Sequence, residues 1–430
     1  LPSNTGRLVT TASTTTAEGA SGALGAGPRK ARLDAASAQR ASYIGYALLA
    51  PYSLMLLVIF FFPIAKFLLG AVDNRDLPRL LPTTTAVLAG WDGTSDVPAA
   101  AFAALAGDLA EAPSTAAIAV VARRLNYEKS GFRALLVTLG SEVPTGTVEQ
   151  IKSEMIARNP QWAEPVWWQI IRRESGALTK SFLLSSFDLQ QDEVGRIVPK
   201  PPDQSIFLYS LYTTISISVA VTLICLLLAF PVAHFLTTVP PRRVGVYMLF
   251  ILLPFWTSLL VRTSAWIVML QREGPLNQFL QWTGLTSTPL ELLYNRTSVL
   301  IVMTHVLLPF MILSIYANML AIPRDYVRAA RSLGGGPISI FFRIYLPQTM
   351  PGIGAGCLLV FILALGYYVT PALVGGPRDQ MLSSYIAFYT NQTINWGLAS
   401  ALGLVLLMVS GLSYLVITGL TRTRGPLERI

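Results

Sequence analysis

The sequence predicts an all-α polytopic membrane protein. It has six transmembrane helices, an α-rich outward-facing insertion after the first, and an ordered cytoplasmic helix between the fourth and fifth. Three observations predict it. Of 430 residues, 53% are hydrophobic and 13% charged, where soluble domains carry about 25% charged residues. Several apolar runs reach the roughly 20 residues that cross a bilayer core. Mixed-charge sequence with helical periodicity fills one long stretch, 71–205.

Residues 1–41 are rich in Ser, Thr, Ala and Gly, with a basic end at Arg29, Lys30, Arg32 and Arg40. They lack apolar periodicity and are expected to form a disordered cytoplasmic tail. The first transmembrane helix is expected at 42–70, with kinks at Pro51 and Pro63 whose freed carbonyls neighbouring helices can satisfy. This run is too long for a signal peptide and lacks a small-residue cleavage site. In 71–205, AAFAALAGDLAEA and SEMIARNPQWAEPVWWQIIRRES read as amphipathic helices of a small extramembrane domain. It has neither His nor Cys. Its Trp162, Trp167 and Trp168 suit either a core or an anchor for a partner.

The remaining spans are expected near 207–236, 245–269, 298–320, 352–374 and 398–420, within a core of 206–420, followed by a cytoplasmic tail at 421–430. Residues 270–297 read as surface-lying or partly re-entrant. The net charge is +9, but its placement speaks for topology and not for nucleic acid. The N-terminal tail, the loop at Arg242 and Arg243, the Arg324–Arg343 loop and the tail at Arg422 and Arg424 are all net basic. Six spans put all four on one side, and the positive-inside rule makes that side cytoplasmic. Both termini are then cytoplasmic, and 71–205, 270–297 and 375–397 face outward. Cys225 and Cys357 lie in apolar runs and suggest neither a disulfide nor a metal site. His234 and His305 read as packed, hydrogen-bonded side chains.

The stretch Asp325–Pro351, DYVRAARSLGGGPISIFFRIYLPQTMP, has more order than a connecting loop needs. Pro323 and Asp325 suit a helix start. Gly334, Gly335 and Gly336 end the helix, and Pro337 prevents continuation. Ala329 and Ala330 make one face slim, flanked by Arg328 and Arg331. A second short helix, Ile338 to Tyr345, is expected to stop at Leu346-Pro347. A plain surface amphipathic helix would need neither the alanine pair nor the fixed glycine.

This segment resembles the coupling helix of ABC importer permeases, with a pattern of Glu-Ala-Ala, three residues, Gly, and later Ile-x-Leu-Pro. Here it reads Arg328-Ala329-Ala330, Gly334, then Ile344-Tyr345-Leu346-Pro347. The resemblance covers about 206–420 and is strongest to the spermidine/putrescine-type branch, in LLPFWTSLLVRTSAWIVMLQREGPLN and YYVTPALVGGPRDQMLSSYIAFYTNQTINWGLASAL. It implies that Arg328, Ala329, Ala330, Arg331, Gly334, Leu346 and Pro347 couple to a cytoplasmic ATPase. It further implies two ATPase subunits, a second permease subunit, similar or identical, and a periplasmic solute-binding protein, all at a bacterial inner membrane. Arg328 departs from the family's glutamate and implies an altered contact on the ATPase. The family pattern does not include 71–205, whose expected role is contact with the binding protein or the second permease.

No G-x-x-x-x-G-K-[ST] loop occurs in the sequence. The chain is therefore expected to be no enzyme and to carry no cofactor, with ATP and Mg on the partner ATPase. Intramembrane polar groups mark candidate pathways. Arg262, with Trp256, Thr257 and Ser258 and the nearby Trp266, forms one set; Tyr367, Tyr368 and Thr370 form another. Snorkelling of Arg262 and core packing of the tyrosines are the structural alternatives. The expected spans hold no Asp or Glu. That favours solute selection in the binding protein and keeps open a polyamine, an opine, an amino-acid derivative or an aminophosphonate. A secondary transporter would be expected to bury coupling carboxylates or show paired broken repeats. A membrane-anchored receptor or enzyme domain would leave five spans unexplained.

Overall fold

The structure, a computed structural model, describes residues 49–192 and 195–422. The expected tail at 1–41 and the end of that at 421–430 lie outside the described residues. The chain divides into two units, 1–66 and 67–430. Helix α1 covers Leu49–Leu69. Its segment Leu57–Phe61 is π-helical and ends two residues before Pro63. A wider turn there accommodates a proline that has no N–H to give the ladder.

The insertion is a helical domain: α2 (Asp76–Leu80), α3 (Pro82–Ala89), α4 (Ala99–Ala110), α5 (Thr115–Asn126), α6 (Phe132–Ser141), α7 (Val148–Arg158), α8 (Pro165–Arg173) and α9 (Ser181–Ser186). A two-stranded antiparallel hairpin, β1 (Leu189–Gln191) and β2 (Ile197–Pro199), closes it. The three tryptophans are core. Trp162, Trp167 and Trp168 are buried and stack with Phe102 and Phe132. Both Trp167 and Trp168 donate their indole N–H, to Glu164 and to the Trp162 carbonyl, as buried indoles should. Buried Asp108 accepts the N–H groups of Thr83 and Thr84 and the Thr84 hydroxyl. It so neutralises the positive end of α3.

The hairpin hands over to the membrane helices through Asp188. Its backbone is left-handed (φ 56°), which Asp tolerates better than most residues. Its carboxylate accepts the N–H groups of Ile206, Phe207 and Leu208 at 3.1, 3.0 and 2.8 Å. These belong to the first turn of α10 (Phe207–Thr238), which would otherwise have orphan donors.

After α10 come α11 (Pro241–Leu252), α12 (Leu259–Leu270), α13 (Pro275–Trp282) and α14 (Arg296–Leu320). Then follow α15 (Arg324–Ser332), α16 (Pro337–Leu365), α17 (Val369–Val374), α18 (Leu382–Asn391) and α19 (Trp396–Arg422). The buried stripe Ile217, Val221, Cys225, Ala229 and Ala233 on α10 recurs every fourth residue. It packs on Val299, Val302, Met303, Leu307 and Met311 of α14. Gly352 and Gly356 let α16 close on α14. A Cβ at Gly352 would stand 2.4 Å from the Asn318 Cβ, so only glycine permits this approach.

Two expected spans require correction. The span at 245–269 is not one helix: α11 and α12 are bent by 96° at a break. Among the described residues, five helices are therefore long and apolar enough to cross a membrane, or six if the bent pair counts as one. The span at 352–374 begins earlier and ends earlier, because α16 runs from Pro337 to Leu365 without interruption. Leu346-Pro347 is consequently no stop. Phe341–Tyr345 is a π-helical turn, and Pro347 falls in the turn after it, where a wider register spares the missing N–H.

Candidate functional site

The segment between α14 and α16 lies at the end of the bundle opposite the insertion. Helix α15 starts at Pro323 and ends in a glycine cap. Gly334 has φ +82°, donating its N–H to the Arg331 carbonyl, and Gly335 donates to the Ala330 carbonyl, each at 3.0 Å. This paired closure needs a left-handed residue just past the helix, which is why glycine stands there. A Cβ on Gly334 would meet no heavy atom within 4 Å, so the position faces outward. Ala330 is buried against the rest of the chain, while Ala329 is exposed. Tyr326, Leu333, Ile338 and Phe342 expose large apolar surface, Leu333 at 88%. Arg328 is 74% exposed, and its one ion pair among the described residues is Asp325 at 3.4 Å. A cleft of about 600 Å³ lies beside this segment, lined by His234, Arg324, Val327, Arg328, Arg331 and Tyr345 among others. Leu346 and Pro347 sit inside α16, directly after Tyr345.

A second cluster forms where the two helix breaks meet. At the α11–α12 break, Leu253–Trp256 tightens into a 3-10 turn. The Thr257 hydroxyl donates to the Pro254 carbonyl at 2.9 Å, and the Ser258 hydroxyl accepts the Val261 N–H at 3.2 Å. These two side chains build the bend. Trp256 points away and is 77% exposed. Further along α12, the Trp266 indole donates to His305 Nδ1 at 3.2 Å, fixing the histidine's other nitrogen as the protonated one when the ring is neutral. Arg262 lies within electrostatic range of His305 and Tyr367. Its Nε and Nη1 are buried and make no hydrogen bond among the described residues. Tyr367 occupies the break after α16, where its carbonyl accepts from Ser383 at 2.7 Å. Thr370 is fully buried and 3.5 Å from Thr263; Tyr368 is exposed.

Residues 204–424 match the family described as "binding-protein-dependent transport system inner membrane component". That match covers both clusters. The chain belongs to this family. It is a permease subunit of an ABC importer, a multi-pass protein of the inner membrane. It is 34% identical over 203 residues to the spermidine/putrescine transport system permease protein PotB of Escherichia coli (strain K12), covering 47% of this chain and 74% of the relative. The Haemophilus influenzae protein of the same name is 36% identical, covering 46% and 70%. Among solved structures the permease is similar to a bacterial ABC transporter involved in the import of the acidic polysaccharide alginate. The identity there is 19% and the TM-score 0.44, over 50% of this chain and 79% of that one.

Of the pathway residues named from sequence, the permease brings Arg262, Tyr367 and Thr370 together. Trp256 and Tyr368 are exposed instead. His305, read from sequence as a packed, hydrogen-bonded side chain, is both, on Trp266; its place in this cluster was not read. A histidine four residues before a mid-span proline, Pro309 in α14, was the available signal, because a proline inside a span marks a local opening of the ladder.

Proposed function

We propose that this permease couples to a cytoplasmic ATPase through Tyr326–Leu333 and the following glycine turn. The supporting observation is the glycine-capped helix itself: it is ordered, basic and apolar-faced, yet most of that face touches nothing in its own chain. In this reading the basic loops are cytoplasmic, as are both termini, and the insertion faces outward. ATP and Mg belong to the ATPase, and this subunit holds no cofactor. The working importer comprises this chain, a second permease subunit, two ATPase subunits and a periplasmic solute-binding protein. The relatives' names support a polyamine, spermidine or putrescine, as the solute. A second reading, an opine, amino-acid derivative or aminophosphonate, is favoured by the lack of Asp and Glu in α1, α10, α11, α12, α14, α16 and α19, since a tight polyamine site would use carboxylates or aromatic faces.

Proteoliposomes of the assembled complex test this. With the binding protein outside and ATP inside, labelled spermidine or putrescine accumulates, and omitting the ATPase abolishes it. Accumulation only of an acid-bearing amine would select the second reading. Uptake by this chain alone without ATP would overturn the importer assignment.

A further inference from the structure

The insertion meets the membrane helices at a cleft of about 270 Å³. Gly70, the residue after α1, and Trp396, the first residue of α19, both line it. The Phe67 and Trp396 rings meet edge to face at 6.3 Å. Two candidate membrane helices thus have their ends here, which puts the cleft at a bilayer surface. Its rim is apolar and uncovered: Val120, Tyr127, Ile394 and Trp396 are all exposed. Ile394 is also left-handed, with φ 55°, an outlier for a β-branched residue. It is held there by its neighbours: the Tyr127 hydroxyl donates to the Thr393 carbonyl at 3.2 Å, and the Asn395 side chain accepts the Leu398 N–H at 3.1 Å. A strained backbone that turns an apolar side chain outward, within an apolar rim, points to something that covers it. The cleft also carries both signs of charge. Arg124 is taken by Glu128 and Glu174, and Asp73 by Arg75. Two further lining residues, Arg123 and Asp76, make no ion pair among the described residues.

We propose that this cleft seats the headgroup of a zwitterionic phospholipid from the leaflet on the insertion's side, its phosphate on Arg123 and its ammonium on Asp76. Three arguments carry this. First, the rim is continuous with surface that a bilayer covers: further along α19, Leu407, Met408 and Leu412 are exposed apolar side chains of a membrane helix. A lipid whose headgroup occupied the cleft could lay its chains along them. Second, Trp and Tyr favour the headgroup level, where an apolar ring and a polar edge are both satisfied. Tyr127 and Trp396 stand at that level, one on the insertion and one on the membrane core. Third, the charges match. A guanidinium pairs well with phosphate, and a free carboxylate pairs with an ammonium. An anionic headgroup without an amine would satisfy Arg123 and leave Asp76 unpaired beside it. The bound lipid would hold the insertion to the bilayer surface, in addition to its contacts with α10 and α19. The proposal needs only the membrane location of the chain and not its coupling to an ATPase.

The test uses the full chain in nanodiscs doped with a photoreactive phosphatidylethanolamine or a photoreactive phosphatidylglycerol, each carrying its diazirine next to the headgroup. Labelled peptides are identified by mass spectrometry. Labelling should concentrate in 120–127 and 394–397, with little in α7, which does not line the cleft. The amine lipid should label them more than the glycerol lipid by roughly two- to fivefold, the scale of one exposed ion pair. R123A should reduce labelling by both lipids by roughly tenfold, as for loss of a charge-assisted hydrogen bond; R123K should retain most of it. D76N should erase the preference for the amine lipid and leave the glycerol lipid unaffected, a split that a general loss of structure would not produce. Labelling of the two segments no stronger than of α7 would overturn the proposal. So would equal labelling by the two lipids in the wild type, or a preference that survives D76N. The same measurement on the assembled transporter is the last arm: labelling that persists supports the lipid, and labelling abolished by the binding protein or by a second permease would assign the cleft to that protein instead.

Discussion

Arg328 shows what one residue does and does not reveal. As an exposed i,i+3 pair with Asp325 at 3.4 Å, it contributes about 0–1 kcal/mol to its own helix. Its guanidinium therefore remains available to a partner, and where the family has glutamate it presents the opposite sign. R328E should weaken retention of the ATPase by roughly tenfold at low salt, and the deficit should shrink as salt rises. Titrating the ATPase against detergent-purified permease measures this. Equal affinity at low salt would assign Arg328 no role in docking. Gly334 was legible from sequence because a glycine that ends a helix leaves a pattern. Ala330 and Ala329 were legible as a slim pair, but their unequal burial was not, since sequence does not say which side of a short helix meets its own chain. Arg262 was legible as costly; that its Nε and Nη1 are buried without a partner among the described residues required the surrounding helices.

The helices were largely legible as apolar runs, and the misses occur at breaks. The α11–α12 bend carries a readable signal in Pro254 and in Ser258, a helix-capping residue followed by an apolar run. A hydropathy run crosses both without changing, so the bend looked like one span. Leu346-Pro347 failed in the opposite way. A proline suggests a stop, but the π-helical turn ahead of it lets α16 continue. Close contact between helices was also hidden, because small residues in a span look the same whether they face lipid or a neighbour. Gly352→Val should cost about 1–3 kcal/mol or more through overpacking, since its Cβ would stand 2.4 Å from the Asn318 Cβ. Gly411→Val, where a Cβ meets nothing within 4 Å, is the control. Melting of the two variants in detergent should separate them; equal melting would mean α14 and α16 are further apart than described.

At the scale of the molecule, the insertion is tied into the membrane core. Phe182 and Ala71 share a buried cluster with Leu398 and Leu402 of α19, the Asp188 cap holds the start of α10, and the Tyr127 hydroxyl donates to the Thr393 carbonyl at 3.2 Å. Beneath this junction lies an ion network. Arg124 binds Glu128 and Glu174, each at 2.7 Å, and Arg173 binds Glu128 at 2.9 Å. Burial alone would raise the Glu128 carboxyl, but Arg124, the Ser181 hydroxyl and Arg173 outweigh it and hold it below the usual 4.5. A depressed carboxyl stabilises above its unfolded value and loses that stabilisation as pH falls through the lower folded value. Hydrogen exchange at the junction should thus be flat near neutrality and rise, after correction for intrinsic rates, once the pH drops below 4.5. E128Q should remove most of that pH dependence; a wild-type profile in E128Q would exclude this group. None of these joints was legible in the sequence, because their partners lie far apart along it. The account as a whole stands on coupling. Its most direct test is ATP turnover by the complete reconstituted complex with binding protein and solute, comparing wild type with G334D. A side chain there meets nothing in this chain, so beyond about 1–2 kcal/mol of left-handed strain the change acts on the docked partner. The account predicts that G334D inserts normally but loses solute-stimulated turnover; unchanged stimulation would contradict it.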